Sequence, residues 1–217
     1  MSAQEREYSF EFERKFLVRE LPEGVREHGS PQAIIQAYVF AEAGYAIRVR
    51  VSFRGVTFTH EPFDWATDQV GAYERRLLRS VMKDNADQAV ATIAVKSPSV
   101  NGERYEMESE LDPDVAVQII QRANRVVAKT RHSLWVNEDG WEFDVFVGQN
   151  EGLIIAEIER LTPVVDLVIP EFCCTEVTAD PRFTNDALSK EPWHNWDAMF
   201  LQELTQRGPF FLDLRHG

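Results

Sequence analysis

The chain has 217 residues, 44% of them hydrophobic and 27% charged, which suits one sizeable soluble domain better than two small ones. A formal net charge of −13 argues against a nucleic-acid duplex as partner, since phosphate-backbone binding needs a basic face, but it leaves room for a cation-lined pocket that takes a small polyanion. Cys173 and Cys174 are adjacent and supply neither a disulfide framework nor the spaced ligands of a zinc site, so they read as apolar filler. The stretch from Met1 to Glu7 is polar, unlike a signal peptide, and no run approaches the ~18 apolar residues of a membrane span; a cytoplasmic protein is expected.

Apolar residues recur mostly with a period of two, which in chain order predicts strands over residues 9–18, 34–40, 45–53, 91–96, 104–111, 126–136, 141–147 and 153–160. Turn signals fall between them at Glu42-Ala43-Gly44, Asn101-Gly102, Asp139-Gly140 and Gln149-Asn150-Glu151-Gly152, so the sheet should be antiparallel. Three segments carry a helical period instead. Tyr73, Leu77 and Val81 fall four apart inside a long excursion over residues 54–89. Asp112-Pro113 sets up a cap and a first-turn proline ahead of Val115, Ile119 and Ile120. Trp193, Trp196, Phe200 and Leu204 predict a closing helical segment at about 192–207. The expected fold is α+β and mainly β: a closed eight-stranded antiparallel β-barrel, one domain over residues 1–217, with a few helices packed outside and at its ends.

Side chains two apart on a strand project the same way, which makes the charges informative. Glu11, Glu13 and Lys15 share a face, against Phe10, Phe12 and Phe16 on the other. Arg48 with Arg50, Lys96, the alternating Glu106, Glu108 and Glu110, Lys129 with Arg131, Glu142 with Asp144, and Glu157 with Glu159 repeat the arrangement on later strands. If helices cover the apolar face, the charged face lines the barrel, and so many ionised groups in a confined lumen are costly unless opposite charges, a metal or a charged ligand compensate. Carboxylate oxygens suit magnesium or manganese, while arginine and lysine suit phosphates, so a metal–triphosphate complex would be at home there.

Glu11-Phe12-Glu13-Arg14-Lys15 resembles the ExExK signature of the CYTH, or triphosphate tunnel metalloenzyme, superfamily. Further segments resemble the same family in order: Arg48-Val49-Arg50, Thr92 to Lys96, Arg104 to Glu108, Lys129-Thr130-Arg131, Trp141 to Phe146, Gly152-Leu153 with Ala156 to Glu159, and Val177-Thr178 with Asp180 to Leu188. The resemblance implies a tunnel-shaped barrel that hydrolyses or cyclises triphosphates with Mg2+ or Mn2+. Carried over by position, it implies Glu11, Glu13 and Glu159 as main metal ligands, supported by Asp144 and Glu157, and Lys15, Arg48, Arg50, Lys96 and Arg131 as phosphate-binding residues. Glu11, Glu13, Lys15 and Glu159 are then the catalytic set, and Lys190 resembles a lysine near the tunnel end that contacts substrate in some relatives. Tyr38 resembles a tyrosine of the family's second strand, though it reads first as a core tyrosine with a satisfied hydroxyl. The 54–89 excursion, longer than in compact bacterial relatives, either caps a tunnel mouth or is a packing insert.

The expected activity is metal-dependent hydrolysis of a triphosphate, inorganic tripolyphosphate first, then thiamine triphosphate or a nucleoside triphosphate. A cyclase converting ATP to cyclic AMP and diphosphate, and a non-catalytic polyphosphate- or nucleotide-binding module, are the alternatives. The expected partner is a small-molecule triphosphate, with no duplex and no membrane, and a homodimer is left open.

Overall fold

Each stretch with a period-two pattern is a β-strand. The computed structural model describes residues 10–59, 62–69, 71–98, 103–136 and 139–213, with the backbone alone for Phe10, Glu11 and Glu103. Its strands are β1 (Phe10–Leu17), β2 (Ser30–Glu42), β3 (Tyr45–Arg54), β4 (Ala89–Lys96), β5 (Glu103–Leu111), β6 (Val126–Val136), β7 (Asp139–Phe146), β8 (Ile154–Arg160) and a short β9 (Thr175–Glu176). They form one nine-stranded antiparallel sheet in the order β5-β4-β3-β2-β6-β7-β8-β1-β9. One edge of β1 pairs with β8; its other edge is divided between β5, opposite Phe10 to Phe12, and β9, opposite Phe16 and Leu17.

Local chemistry sets the connections. Ala43 and Gly44 both adopt positive φ (51° and 83°), as a tight hairpin between β2 and β3 requires. Asp112 caps α3 (Pro113–Ile120) by accepting the backbone N–H groups of Asp114 and Val115. The Asp139-Gly140 pair is a correction: instead of turning the chain it continues β7, opposite Val136 and Trp135. The expected Asn101-Gly102 turn lies outside the described residues. β9, and two short helices, α1 (Glu23–His28) and α4 (Asn185–Lys190), carry no pattern that announced them.

Apolar packing divides the sheet into an outside and an inside. The outward residues of β2, β3, β4 and β6, among them Ile35, Val51, Phe53 and Val126, pack beneath Tyr73, Leu77, Leu78 and Val81 of α2 (Ala72–Asn85) and Ala116 and Ile120 of α3. The helix of the 54–89 excursion is thus a packing element on the outer surface. On the far side Phe16, Trp141, Phe143 and Ile158 are covered by Val25, Val164 and Cys173. At one end the inward face itself turns apolar: Leu17, Val127, Phe146 and Ile155 meet Phe183, Leu188, Trp193, Trp196 and Phe200. The last of these begin the closing segment, a 3-10 turn (Trp193–Asn195) followed by α5 (Asp197–Arg207), so the C-terminal segment plugs that end. Among the described residues no helix is long and apolar enough to cross a membrane.

A channel of paired charges as the candidate active site

The remaining inward residues line a cavity of about 230 Å3: Glu13, Lys15, Arg48, Arg50, Lys96, Arg104, Glu106, Glu108, Arg131, Glu142, Glu157, Glu159 and Asn185. Period two places them there, because Leu17, Val127, Phe146 and Ile155 of the plug lie on the same faces as Lys15, Lys129, Asp144 and Glu157. Acidic and basic groups from most of the strands therefore share one channel.

Most of the cations are held by carboxylates. Lys15 Nζ lies 2.7 Å from Glu157 and 3.3 Å from Glu13. Arg131 forks onto Asp144 at 2.7 and 2.8 Å, reaches Glu157 at 2.6 Å and also pairs with Glu142. Lys129, fully buried, pairs with the equally buried Asp144 and donates to Asn185 Oδ1 at 3.3 Å. Arg48 pairs with Glu106 and Glu108, Lys96 with Glu106, and Arg104 with Glu13 at 3.1 Å and Glu106 at 3.3 Å. Charge-assisted bonds of this kind hold long side chains in fixed positions.

Burial works against each charge and the neighbours decide the outcome. Burial pulls the Lys15 ammonium down, but Glu13 and Glu157 outweigh it and hold it above its usual range. Burial pushes Glu106 up, and Lys96, Arg48 and Arg104 reverse that and bring it to about 2. Burial, helped by repulsion from Arg131 and Arg50, brings Lys129 down to about 8 despite Asp144 and Glu157. Glu159 is pushed up, first by burial and then by Glu13, Glu142, Glu157 and Glu106.

Two residues stand apart. Arg50 has no hydrogen-bonded or ion-paired acceptor among the described residues, and burial followed by repulsion from Arg48 and Arg131 lowers it to about 10. Its Nε, the Gln36 Oε1 and the Thr92 Oγ1 are buried without a hydrogen-bond partner. The three residues are cross-strand neighbours, since Arg50 stands opposite Gln36 on one side and Thr92 on the other. Glu159, at the solvent end of the channel, stands opposite Glu13 in direct register and likewise has no ion-pair partner among the described residues. Opposed carboxylates repel one another unless a cation lies between them.

Of the residues singled out from the sequence, Glu13, Lys15, Arg48, Arg50, Lys96, Arg131, Glu157 and Glu159 meet in this cavity. Asp144 and Glu157, expected to support a metal, are engaged by Lys129, Arg131 and Lys15. Glu11 lies on β1 opposite Arg104, and its side chain is outside the described residues. Lys190 is not in the channel; it lines a separate cavity of about 590 Å3 with Tyr38, Phe40, Arg125 and Asp186. The candidate set lacked Arg104, Glu106, Glu108, Glu142, Lys129 and Asn185. All but Asn185 share the alternation of their predicted strands; Asn185 opens α4, where Thr184 accepts the Ala187 N–H, and only the folded chain brings it to Lys129.

The donor chemistry fits a hard divalent cation: Glu13 and Glu159 oppose each other across β1 and β8. Among the described residues no group of three or more histidines, cysteines or acidic residues forms a metal cluster, and the Glu11 side chain lies outside that set.

A mainly-β antiparallel sheet that gathers paired cations and carboxylates around one cavity defines the class of the protein. No family model matches the sequence. The chain is 36% identical over 106 residues to an inorganic triphosphatase of Acetivibrio thermocellus, across 48% of this chain and 68% of the relative. It therefore belongs to that protein's family, the CYTH or triphosphate tunnel superfamily. Two solved structures are similar: the inorganic triphosphatase NE1496 (23% identity, 82% of this chain and 93% of that one, TM-score 0.49) and the PH1012 protein of Pyrococcus horikoshii (16% identity, 92% and 90%, TM-score 0.42).

Proposed function

We propose that the protein is a metal-dependent triphosphate hydrolase that releases orthophosphate, with inorganic tripolyphosphate as its first substrate and Mg2+ or Mn2+ as its cofactor. The observation that carries this reading is the channel itself, where six cations and as many carboxylates around one cavity include an arginine that no carboxylate among the described residues pairs with. The name of the Acetivibrio thermocellus relative supports the same activity. The β1–β5 pairing supports reading the sheet as a closed eight-stranded tunnel in one domain, interrupted by the 54–89 insertion.

In this reading Arg48, Arg50, Lys96, Arg131 and Lys15 bind the phosphate chain and offset the charge that gathers on the transferred phosphoryl group and on the leaving diphosphate. Arg50 offers the ligand a guanidinium whose Nε has no partner among the described residues, and the carboxylates that now hold the other cations keep them positioned before substrate arrives. Glu13 and Glu159, with Glu11, would hold the divalent cation. When bound, such a cation polarises phosphate oxygens and lowers the pKa of a bound water. The apolar plug at one end excludes bulk water and directs substrate entry to the other.

Purified protein assayed with tripolyphosphate, thiamine triphosphate and ATP, each with Mg2+ and with Mn2+, tests the proposal through product identity. Orthophosphate release supports it. Cyclic nucleotide with diphosphate from ATP would assign a cyclase, and binding without turnover on all three substrates would assign a binding module.

A further inference from the structure

β6 carries its inward face past the channel. Lys129, Arg131, Ser133 and Trp135 project the same way, so the face that holds the buried Lys129 ends in an indole standing beyond the opening. Trp135 is 75% exposed, far more than the other tryptophans, of which Trp141, Trp193 and Trp196 are buried. Gly140 lies opposite Trp135 on β7, and a side chain added there would meet the indole at 3.8 Å.

Beside this ring is a cavity of about 410 Å3, lined by Trp135, Gly140, Ser30, Ser133, Glu142 and Glu159 among others. Its size lies within the ~300–1,000 Å3 of small-molecule sites. Glu142 and Glu159 also line the channel, so the two cavities adjoin. A triphosphate lying in the channel would therefore carry any group at its outer end into this second cavity.

From this continuity we infer that Trp135 and its cavity form a stacking subsite for a flat heteroaromatic ring attached to the triphosphate, which makes Trp135 a specificity-determining residue. The indole supplies a fixed apolar face for stacking. Glu142 accepts hydrogen bonds from ring amino groups or sugar hydroxyls and disfavours a further anion, and the Ser30 and Ser133 hydroxyls, paired across β2 and β6, can donate or accept. A neutral nucleobase and a cationic thiazolium ring share this chemistry, the cation gaining attraction to the indole face. Inorganic tripolyphosphate has no group to place there.

The inference rests on the triphosphate reading of the channel, and the test separates the two. Wild type, Trp135→Ala and Trp135→Phe are compared on tripolyphosphate, ATP and thiamine triphosphate, alongside titration of tryptophan emission with ATP in the presence of Mg2+. The Ala variant is expected to lower kcat/KM for at least one ring-bearing substrate by about tenfold relative to tripolyphosphate, with Phe recovering most of it, and to abolish quenching by ATP. A larger loss for ATP assigns a nucleobase, and one for thiamine triphosphate a cationic ring. If tripolyphosphate is hydrolysed while these ratios and the quenching do not change in Trp135→Ala, the subsite is refuted and the channel reading stands. If no substrate is hydrolysed, the channel reading fails, and quenching by ATP that is absent in Trp135→Ala still decides for the subsite, its persistence against it. Self-association that Trp135→Ala abolishes, with nucleotide without effect, would reassign the indole to contact between copies and overturn the inference.

Discussion

Glu13 and Glu159 stand opposite each other on β1 and β8, two carboxylates in direct register at the solvent end of the channel. Glu13 is shared by Lys15 and Arg104, whereas the Glu159 carboxyl is pushed up by burial and then by its acidic neighbours. The pair is a liability in the metal-free chain and an asset once a cation lies between its members. Like charges so placed cost roughly 0.2–1 kcal/mol, so Glu159→Gln should raise the melting temperature in EDTA by about 1–3 °C. Mg2+ should then stabilise the variant less than it stabilises wild type. Thermal unfolding with EDTA and with MgCl2 reads both effects, and a lower melting temperature for the variant in EDTA would contradict the assignment.

Arg50 behaves differently from the paired cations around it. Removing it relieves repulsion with Arg48 and Arg131 and breaks no ion pair among the described residues. Arg50→Met should therefore leave the melting temperature unchanged or higher while weakening tripolyphosphate binding by roughly 10- to 100-fold, as loss of a charge-assisted contact predicts. Steady-state kinetics and thermal unfolding on the same preparation check this, and parallel losses of stability and affinity would argue against it.

Outside the channel, Arg14 makes a two-pronged contact with Glu176, at 2.9 and 2.6 Å, on the outer face of the sheet. Both residues are buried, and the pair fastens the two-residue β9 to β1. Breaking one partner leaves a buried charge, so Glu176→Ala should cost about 3–5 kcal/mol. Denaturant unfolding measures it, and a change under 1 kcal/mol would show that the contact is dispensable.

Glu74 supplies a pH dependence of stability. Its carboxyl is buried in α2, accepts the Gln149 N–H at 3.2 Å, and has an Oε2 without a partner; burial raises it above the ordinary 4.5. A carboxyl with a raised folded pKa binds its proton more tightly when folded, so its contribution is complete below 4.5 and declines as pH rises through the folded value. Glu74→Gln should therefore gain stability relative to wild type as pH rises from 4.5 to 8. Denaturant midpoints of both proteins across that range provide the measurement, and a constant difference would rule the effect out.

Much of this arrangement was readable from residue order. Glu13 and Lys15, Arg48 and Arg50, and Glu157 and Glu159 declare their shared face through period two, and that one rule locates eight strands and most of the channel. Periodicity identifies a face but not where along it the lumen ends. Val127, Phe146 and Ile155 lie on the charged faces, and only the docking of Trp193 and Phe200 turns them into a plug. Lys190 lies apart for a related reason: α4 brings Asn185 to the channel and leaves Lys190 beside Arg125 and Asp186, a choice set by tertiary packing. Asp139-Gly140 has the chemistry of a turn, yet its pairing with Val136 and Trp135 extends the hairpin beyond it. β9 is too short to show any pattern and depends on Arg14, 162 residues away from Glu176.

The central claim is that a metal-bound triphosphate occupies the charged channel. A crystal structure with Mn2+ and a non-hydrolysable imidotriphosphate, phased to reveal the manganese anomalous signal, tests it most directly. The account predicts an anomalous peak between Glu13 and Glu159 and phosphate oxygens against Arg50 and Arg48. Manganese and phosphates found on the outer surface, with the channel's ion pairs undisturbed, would contradict it.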